Sequence, residues 1–264
     1  MDTFQAIIVA IVEGLTEFLP ISSTAHMKFI HPLLGVADSP FVNMYEVIIQ
    51  LAAILAVVVL YWKKFFGFKG IGFYTKLIIA LLPALIGGFF LKKYIEAALG
   101  NLIFIACVMV AGGIVLLFID KVFTRPTIDS EEKVSNKTAF IIGCGQVLSI
   151  IFPGLSRSAA TIITGMSQKL TRSAAAEFSF FLAVPTMLAA SAKSFWDTYK
   201  ENPGVIGKDN LTTLLIGSVV AFTVALLAIR FFISFLKKYG FRIWGVYRIV
   251  AGLTMLFLIW KDIV

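Results

Sequence analysis

Long apolar runs constrain this sequence more than any other feature. Five of them approach the roughly 20 residues that an α-helix needs to cross about 30 Å of hydrocarbon. They are residues 47–62, 77–91, 102–119, 211–229 and 244–260. Hydrophobic residues make up 59% of the chain and charged residues only 14%, which is far from the composition of soluble domains. Because the runs do not alternate as barrel strands do, the sequence predicts an all-α polytopic membrane protein.

Basic residues lie between these runs. The formal net charge of +8 would suggest nucleic acid in a soluble protein, but here the positions favour loops that face anionic lipid, with no nucleic-acid partner. With the N-terminus outside, thirteen lysines and arginines fall in inside loops, among them Lys69, and six fall outside. The outside residues are Lys92, Lys93, Lys193, Lys200, Lys208 and Lys261. The distribution therefore predicts that both termini lie outside.

One sequence element occurs twice. EGLTEFLPISST and QVLSIIFPGLSR align when Pro20 is placed over Pro153, which sets Ser23 over Ser156. A second matching pair, VAGGIVLLFI and VAGLTMLFLI, lies near the end of each half. The pattern predicts one membrane domain formed by two repeats. The predicted boundaries are 1–264 for the domain, 1–119 for repeat one, 120–137 for the linker and 138–264 for repeat two.

Each copy of the first element is too short and too broken to span a bilayer. About fifteen mostly apolar residues end at a proline and are followed by hydroxyl residues. Such backbone is tolerated at membrane depth where it lines a cavity or is buried in protein, so we expect a re-entrant helical hairpin in each half, followed by three transmembrane helices. Three crossings are an odd number. The two repeats should therefore have inverted topology, with their hairpin loops meeting near the midplane.

Glu13 and Glu17 are four residues apart and so share one helical face. Carboxylates in an apolar segment usually face a water-filled cavity or a partner. The pair suits a divalent cation, or one carboxylate could act as a base while the other holds the ion. The alternative is a pair of residues at a helix end with no functional role.

Hydroxyl side chains and a histidine follow the first proline. Ser22, Ser23 and Thr24 begin the second short helix, and a helix start can bind phosphate, although serine and threonine also cap helices without any ligand. His26 lies two residues further on. It is a candidate acid, base or nucleophile, and a purely structural histidine is the alternative.

The second loop, PGLSRSAAT, contributes the cation. Arg157 lies in an apolar context, and its guanidinium group suits bidentate binding of a phosphate. The alternative for this arginine is an ion pair with one of the two glutamates. Ser156, Ser158 and Thr161 add hydroxyl groups. Together the two loops indicate phosphate-ester or phosphoanhydride chemistry.

EGLTEFLPISSTAH and PGLSRSAAT resemble the two signature motifs of the bacterial undecaprenyl diphosphate phosphatase family, also called the bacitracin-resistance family, and the likeness covers the whole chain. Ala25 and Ala159 stand where the family pattern commonly has glycine. The resemblance implies a Mg²⁺- or Ca²⁺-dependent enzyme that hydrolyses the lipid diphosphate to the monophosphate and recycles the carrier for cell-wall synthesis. It also implies a multi-pass protein of the bacterial inner membrane whose site opens to the periplasm.

The resemblance also implies roles for individual residues. The active-site residues are Glu13, Glu17, Ser23, His26 and Arg157, of which Glu13 and Glu17 would hold the metal, and the phosphate ligands are Ser22, Thr24, Ser156, Ser158 and Thr161. The nucleophile stays open between Ser23, His26 and water, and a homodimer is also left open. The alternative function is an inverted-repeat transporter or a flippase for a phosphorylated lipid, because broken helices in inverted repeats are also transporter architecture.

Overall fold

The computed structural model describes residues 1–67, 71–205 and 207–264, without the side chains of 208 and 209. Lys69 and the side chain of Lys208, both used to predict the orientation, lie outside what is described. Within the described ranges the regular structure is α-helical apart from two short 3₁₀ turns and one isolated β-bridge. The prediction of an all-α polytopic membrane protein is confirmed.

Of the helices in the described ranges, seven come from the first half of the chain and five from the second. The first seven are α1 (Thr3–Thr16), α2 (Ser23–Leu33), α3 (Pro40–Leu60), α4 (Trp62–Phe66), α5 (Ile71–Phe90), α6 (Lys92–Leu99) and α7 (Leu102–Val122). The others are α8 (Asn136–Ile151), α9 (Arg157–Ser167), α10 (Arg172–Glu201), α11 (Lys208–Tyr239) and α12 (Arg242–Trp260).

Among the described residues, six helices are long and apolar enough to cross a membrane: α3, α5, α7, α10, α11 and α12. The apolar helices α1 and α8 have 14 and 16 residues, or about 21 and 24 Å, and are too short to span. Each half begins with two short helices and contains three long ones, and in the first half the short helices α4 and α6 lie between the long ones. The inverted relation between the halves stays a prediction.

Helices from the two halves pack against each other. α1 contacts α11 and α8 contacts α5, so each short helix lies on a long helix of the other half. α7 runs along α12, where the two VAG segments meet. A Cβ atom at Gly245 would lie 2.7 Å from the Gly113 carbonyl oxygen, so both helices need glycine at this crossing. The two halves therefore share packing contacts, and the division into two repeats within one domain stays a prediction.

The connection between the halves lies against the helices rather than extending into solvent. Glu131, in a 3₁₀ turn at Glu131–Lys133, is buried and forms an ion pair with Lys64 of α4. The only β-bridge in the described ranges joins Ile128 to Leu170, just before α10 begins. The linker thus fixes the end of the bundle at which α4 and α10 begin.

Candidate active site

Two hairpin loops, loop one between α1 and α2 and loop two between α8 and α9, each turn at a serine with positive φ. Ser22 has φ 71° and Ser156 has φ 76°, and both side chains are buried. Each serine is an N-cap, because its hydroxyl oxygen accepts a hydrogen bond from the backbone N–H three residues later. A residue other than glycine in this region costs of order 1–3 kcal/mol. The surrounding contacts must therefore hold these two turns.

The register of the two capping serines differs from the register in which the two sequences were aligned. Placing the prolines in register set Ser23 over Ser156, whereas the caps pair Ser22 with Ser156. The second loop contains one more residue between proline and cap, and its Gly154 has φ 99°. Glycine adopts this conformation without steric penalty, so the extra residue does not disturb the cap.

A single arginine joins both loops. Arg248 of α12 has no exposed surface. Its Nη1 donates to Pro20 O at 3.0 Å and to Leu155 O at 2.7 Å, and its Nη2 donates to Gly154 O at 2.8 Å. Its Nε donates to Met109 O of α7 at 3.2 Å. Arg248 is a charge inside the last apolar run, which indicates a structural or functional role, but the pattern does not predict its partners.

A hydroxyl group makes a second connection between the loops. Ser158 Oγ donates to Leu19 O at 2.8 Å and lies 2.9 Å from Ser156 Oγ. Ser158 is fully buried and does not line the cavity described below. The structure therefore places this predicted phosphate ligand between the loops.

A cavity of about 1030 Å³ begins at the two loops. The predicted site residues that line it are Glu17, Ser22, Ser23, Thr24, Ser156 and Arg157. Its far end is lined by charged residues of α6 and α10, among them Lys92, Glu96, Lys193 and Asp197. Polar groups thus occupy both ends of the space, and apolar residues of α5 lie between them.

Glu17 makes the central contacts. Its Oε2 accepts a hydrogen bond from Ser23 Oγ at 2.5 Å, and its Oε1 accepts one from Arg157 Nη2 at 2.9 Å. Both members of this ion pair are largely buried. The structure thus contains the ion pair that was the alternative for Arg157, formed with Glu17, and the phosphate contact stays a prediction. Chemically, a carboxylate so placed can accept the Ser23 proton.

Neighbouring groups orient Arg157. Its Nη1 donates to Ser179 O at 3.1 Å. Thr161 is buried outside the cavity lining, and its hydroxyl lies 2.7 Å from Ser179 Oγ. Thr161 therefore contacts Ser179, whose carbonyl binds Arg157, and its own side chain does not line the cavity.

Two buried polar atoms of the site lack a protein partner. Within the described part of the chain, neither Arg157 Nε nor Glu13 Oε1 makes a hydrogen bond. A buried donor or acceptor left unpaired costs about 1–3 kcal/mol, so each such atom in a native fold needs an explanation. One atom is a donor suited to an anion and the other an acceptor suited to a cation.

The oxygen donors present suit a hard cation, although the described residues include no group of three or more His, Cys, Asp and Glu side chains that could hold a metal ion. Glu13 and Glu17 offer carboxylate oxygens from one helix face. Mg²⁺ is commonly held by one or two carboxylates together with substrate phosphates, so two acidic residues are compatible with such a site.

His26 lies apart from the other candidates. Its Nδ1 is 2.7 Å from Ser22 O, and its Nε2 is 2.7 Å from the hydroxyl of Tyr247. The imidazole lines a separate groove of about 310 Å³ between α2 and α12, which is otherwise almost entirely apolar. The structure thus brings this residue close to loop one but not into the cavity.

Sequence comparison identifies the family. The family described as bacitracin resistance protein BacA matches residues 6–254. The chain belongs to this family. The resemblance carried by the two loop motifs is therefore confirmed, and a BacA-family chain with six apolar helices is a multi-pass membrane protein.

Curated BacA relatives align over almost their whole length. An undecaprenyl-diphosphatase from Flavobacterium johnsoniae is 48% identical over 257 residues, which cover 97% of this chain and 96% of the relative. The undecaprenyl-diphosphatase of Porphyromonas gingivalis is 48% identical, covering 96% and 95%. That of Bdellovibrio bacteriovorus is 44% identical, covering 98% and 97%.

Replacing Arg248 should destabilise the fold. Arg248→Met leaves the carbonyls of Pro20, Gly154 and Leu155 without their donor, at a cost of about 3 kcal/mol or more, or roughly 6–12 °C in Tm for a chain of this size. Thermal unfolding in detergent measures the change. Arg230→Met in α11, where the arginine is exposed, is the matched control and should unfold near the wild-type temperature. Equal melting temperatures for both variants would show that the hydrogen bonds of Arg248 contribute nothing to the stability of the fold.

Proposed function

We propose that this protein hydrolyses undecaprenyl diphosphate to undecaprenyl phosphate and inorganic phosphate. The curated relatives carry the name of this activity across full-length alignments. The single structural observation that supports it is the position of Glu17, which bonds a serine hydroxyl and an arginine at the end of a cavity. The reaction returns the lipid carrier to cell-wall synthesis, in keeping with the bacitracin resistance for which the family is named.

Ser23 is the nucleophile in this proposal. Its Oγ attacks the terminal phosphorus while its proton passes to Glu17 Oε2, 2.5 Å away. The bond from phosphorus to the bridging oxygen breaks, and undecaprenyl phosphate leaves. Water then hydrolyses the phosphoserine, and Glu17 returns the proton to Ser23. The bonds that His26 makes to Ser22 and Tyr247 favour Ser23 over the histidine as the attacking group.

Arg157 and the loop hydroxyls bind the phosphoryl group. Arg157 lines the cavity, and its buried Nε donor has no partner among the described residues. Thr24 and Ser156 also line the cavity and add hydroxyl groups. Donors fixed in advance stabilise the charge that develops on the transferring group. The burial of Arg157 strengthens this interaction because little water competes for the guanidinium group.

Glu13 and Glu17 would hold Mg²⁺ or Ca²⁺, with the unpartnered Oε1 of Glu13 as the available ligand atom. When bound, such an ion neutralises charge on the diphosphate oxygens. Glu17 keeps its contacts with Ser23 and Arg157, so its carboxylate orients the nucleophile in every case.

The cavity opens to the periplasmic side in this proposal. Its far end is lined by Lys92 and Lys193, two of the residues that the charge distribution predicts to lie outside. The wall from α5, with Leu81, Leu85 and Phe89, is apolar and suits the first isoprene units of the lipid. The rest of the tail can leave into the bilayer, which is as apolar as any pocket.

A transporter for a phosphorylated lipid is not favoured. Transport requires a binding site but no nucleophile, whereas Ser23 is held against a buried carboxylate. The names of the relatives also denote hydrolysis. Phosphate release by the purified protein distinguishes the two functions.

Purified protein in detergent should release inorganic phosphate from undecaprenyl diphosphate, and Ser23→Ala should lower kcat by at least about 10³-fold because the nucleophile is lost. Ser149→Ala is the matched control. Ser149 lines the same cavity, but its hydroxyl donates to Gln146 O of its own helix, so its loss should leave kcat near the wild-type value. Wild-type-like turnover by Ser23→Ala would exclude Ser23 as nucleophile, and no release by the wild type would refute the function.

Turnover should depend on a divalent cation and on Glu13. A chelator is expected to stop phosphate release and added Mg²⁺ or Ca²⁺ to restore it. Glu13→Gln should require a higher ion concentration for half-maximal rate, because an amide oxygen is a weaker ligand than a carboxylate. Glu177→Gln, which changes a half-buried carboxylate near Glu131 and outside the cavity lining, should not shift that concentration. Full activity in chelator would refute the metal requirement.

Arg157→Lys should remain folded but lose activity. An ammonium group keeps the charge beside Glu17 but cannot present the planar fork, and the lost contact with developing phosphoryl charge costs roughly 2–4 kcal/mol, or about thirty- to a thousand-fold in rate. Arg172→Lys is the control. Arg172 does not line the cavity, and its Nε lies 2.6 Å from Asp120 Oδ1. An active Arg157→Lys enzyme would refute the phosphate contact and show that Arg157 serves only as the ion-pair partner of Glu17.

A further inference from the structure

A hydrogen-bond chain links α12 to loop one. The Tyr247 hydroxyl lies 2.7 Å from His26 Nε2, and His26 Nδ1 lies 2.7 Å from Ser22 O. The two rings are nearly parallel, with 9° between their planes. A carbonyl oxygen only accepts, so Nδ1 must carry the hydrogen. A neutral imidazole has a single N–H, and Nε2 therefore accepts the hydrogen bond that Tyr247 donates.

The carbonyl at the end of this chain belongs to the strained residue of the loop. Ser22 has φ 71°, and its carbonyl is part of the peptide group that leads into Ser23. The orientation of that peptide group sets where the Ser23 side chain begins. Because Ser23 Oγ is only 2.5 Å from Glu17 Oε2, a small rotation of the peptide would disturb the contact.

Loop two has the same kind of serine N-cap as loop one, but no histidine follows it. Ser156 has nearly the same φ and the same capping bond, and its carbonyl accepts the helical N–H of Ala160 at 3.0 Å. Ala160 occupies the place that His26 has in loop one, four residues after the cap. The positive-φ turn therefore forms without an imidazole, and the added contact is confined to the loop that carries Ser23.

We propose that His26 is a positioning residue rather than a proton carrier, and that Tyr247 is a further positioning residue that fixes its tautomer. His26 holds the Ser22 carbonyl, and thereby Ser23, against Glu17. Both ring nitrogens are engaged and the imidazole faces the apolar groove, so the Ser23 proton passes to Glu17 instead. The inference rests on the proposed function, because it concerns the placement of that reaction's nucleophile.

Neighbouring residues of α12 hold neighbouring parts of the loop. Arg248 bonds Pro20 O directly, while Tyr247 acts on Ser22 O through His26. The two carbonyls are separated by one residue. A short stretch of the last helix thus holds two nearby backbone carbonyls of loop one.

Two substitutions of the histidine separate positioning from proton transfer. In His26→Asn the amide nitrogen is attached to Cγ, as Nδ1 is, and can still donate to Ser22 O. In His26→Gln the nitrogen lies one bond further out, near the place of Nε2, and cannot. We expect kcat within about tenfold of wild type for Asn and a loss of about a hundredfold for Gln, with KM little changed in both. A general acid or base contributes about 10²–10⁴-fold, so equal large losses in both variants would overturn the proposal.

Histidine ¹⁵N NMR tests the tautomer without using activity. The chain has two histidines, and the signal absent from His26→Asn identifies His26. We expect Nδ1–H with an unprotonated Nε2 in the wild type, and a shift towards the Nε2–H tautomer with at least a tenfold lower kcat in Tyr247→Phe. Tyr239→Phe, at the exposed end of α11, should change neither. An Nε2–H tautomer in the wild type, or an unchanged Tyr247→Phe spectrum, would refute the role of Tyr247. If the wild type releases no phosphate, the proposed function fails while the tautomer result stands on its own.

Discussion

The Arg248 guanidinium group is the contact on which the architecture of the site depends. A hairpin that turns back inside the membrane leaves carbonyl groups without helical partners, and such groups are costly in hydrocarbon. Arg248 supplies donors to carbonyls of both loops and of α7 at once. A buried charge normally requires a counter-ion, but here several carbonyl dipoles surround it. The loops are therefore held at a fixed distance, which lets Glu17 of one reach Arg157 of the other.

The two loops share a backbone solution but differ in chemistry. Ser22 and Ser156 adopt the same positive φ and cap the following helix in the same way. The first loop adds the carboxylates and the candidate nucleophile, and the second adds the cation at Arg157. Backbone strain of this kind persists only where neighbouring residues enforce it. The two turns are therefore rigid, and they bring the Glu17 carboxylate of loop one next to the Arg157 guanidinium group of loop two.

Sequence alone could predict the helices and much of the site, because both depend on side-chain patterns. Run length and the two prolines gave the long and short helices, and Glu17 and Arg157 were predicted to share a site. The roles of Arg248 and Tyr247 were missed because their partners are backbone carbonyls and a histidine distant in sequence, which no periodicity records. The positive φ of Ser22 was unforeseen for a related reason, since serine rarely adopts it without tertiary support.

The Glu17–Arg157 ion pair also explains how the proposed site can exist before substrate arrives. A lone buried charge would cost several kcal/mol, so each group needs the other while the cavity holds only solvent. In the proposed reaction the diphosphate approaches the guanidinium group while Glu17 still holds Ser23 through Oε2 and Arg157 through Oε1. The two oxygens of one carboxylate thus set the positions of the attacking hydroxyl and of the cation that binds the phosphoryl group. Because both contacts exist before the substrate binds, neither group has to be ordered during the reaction.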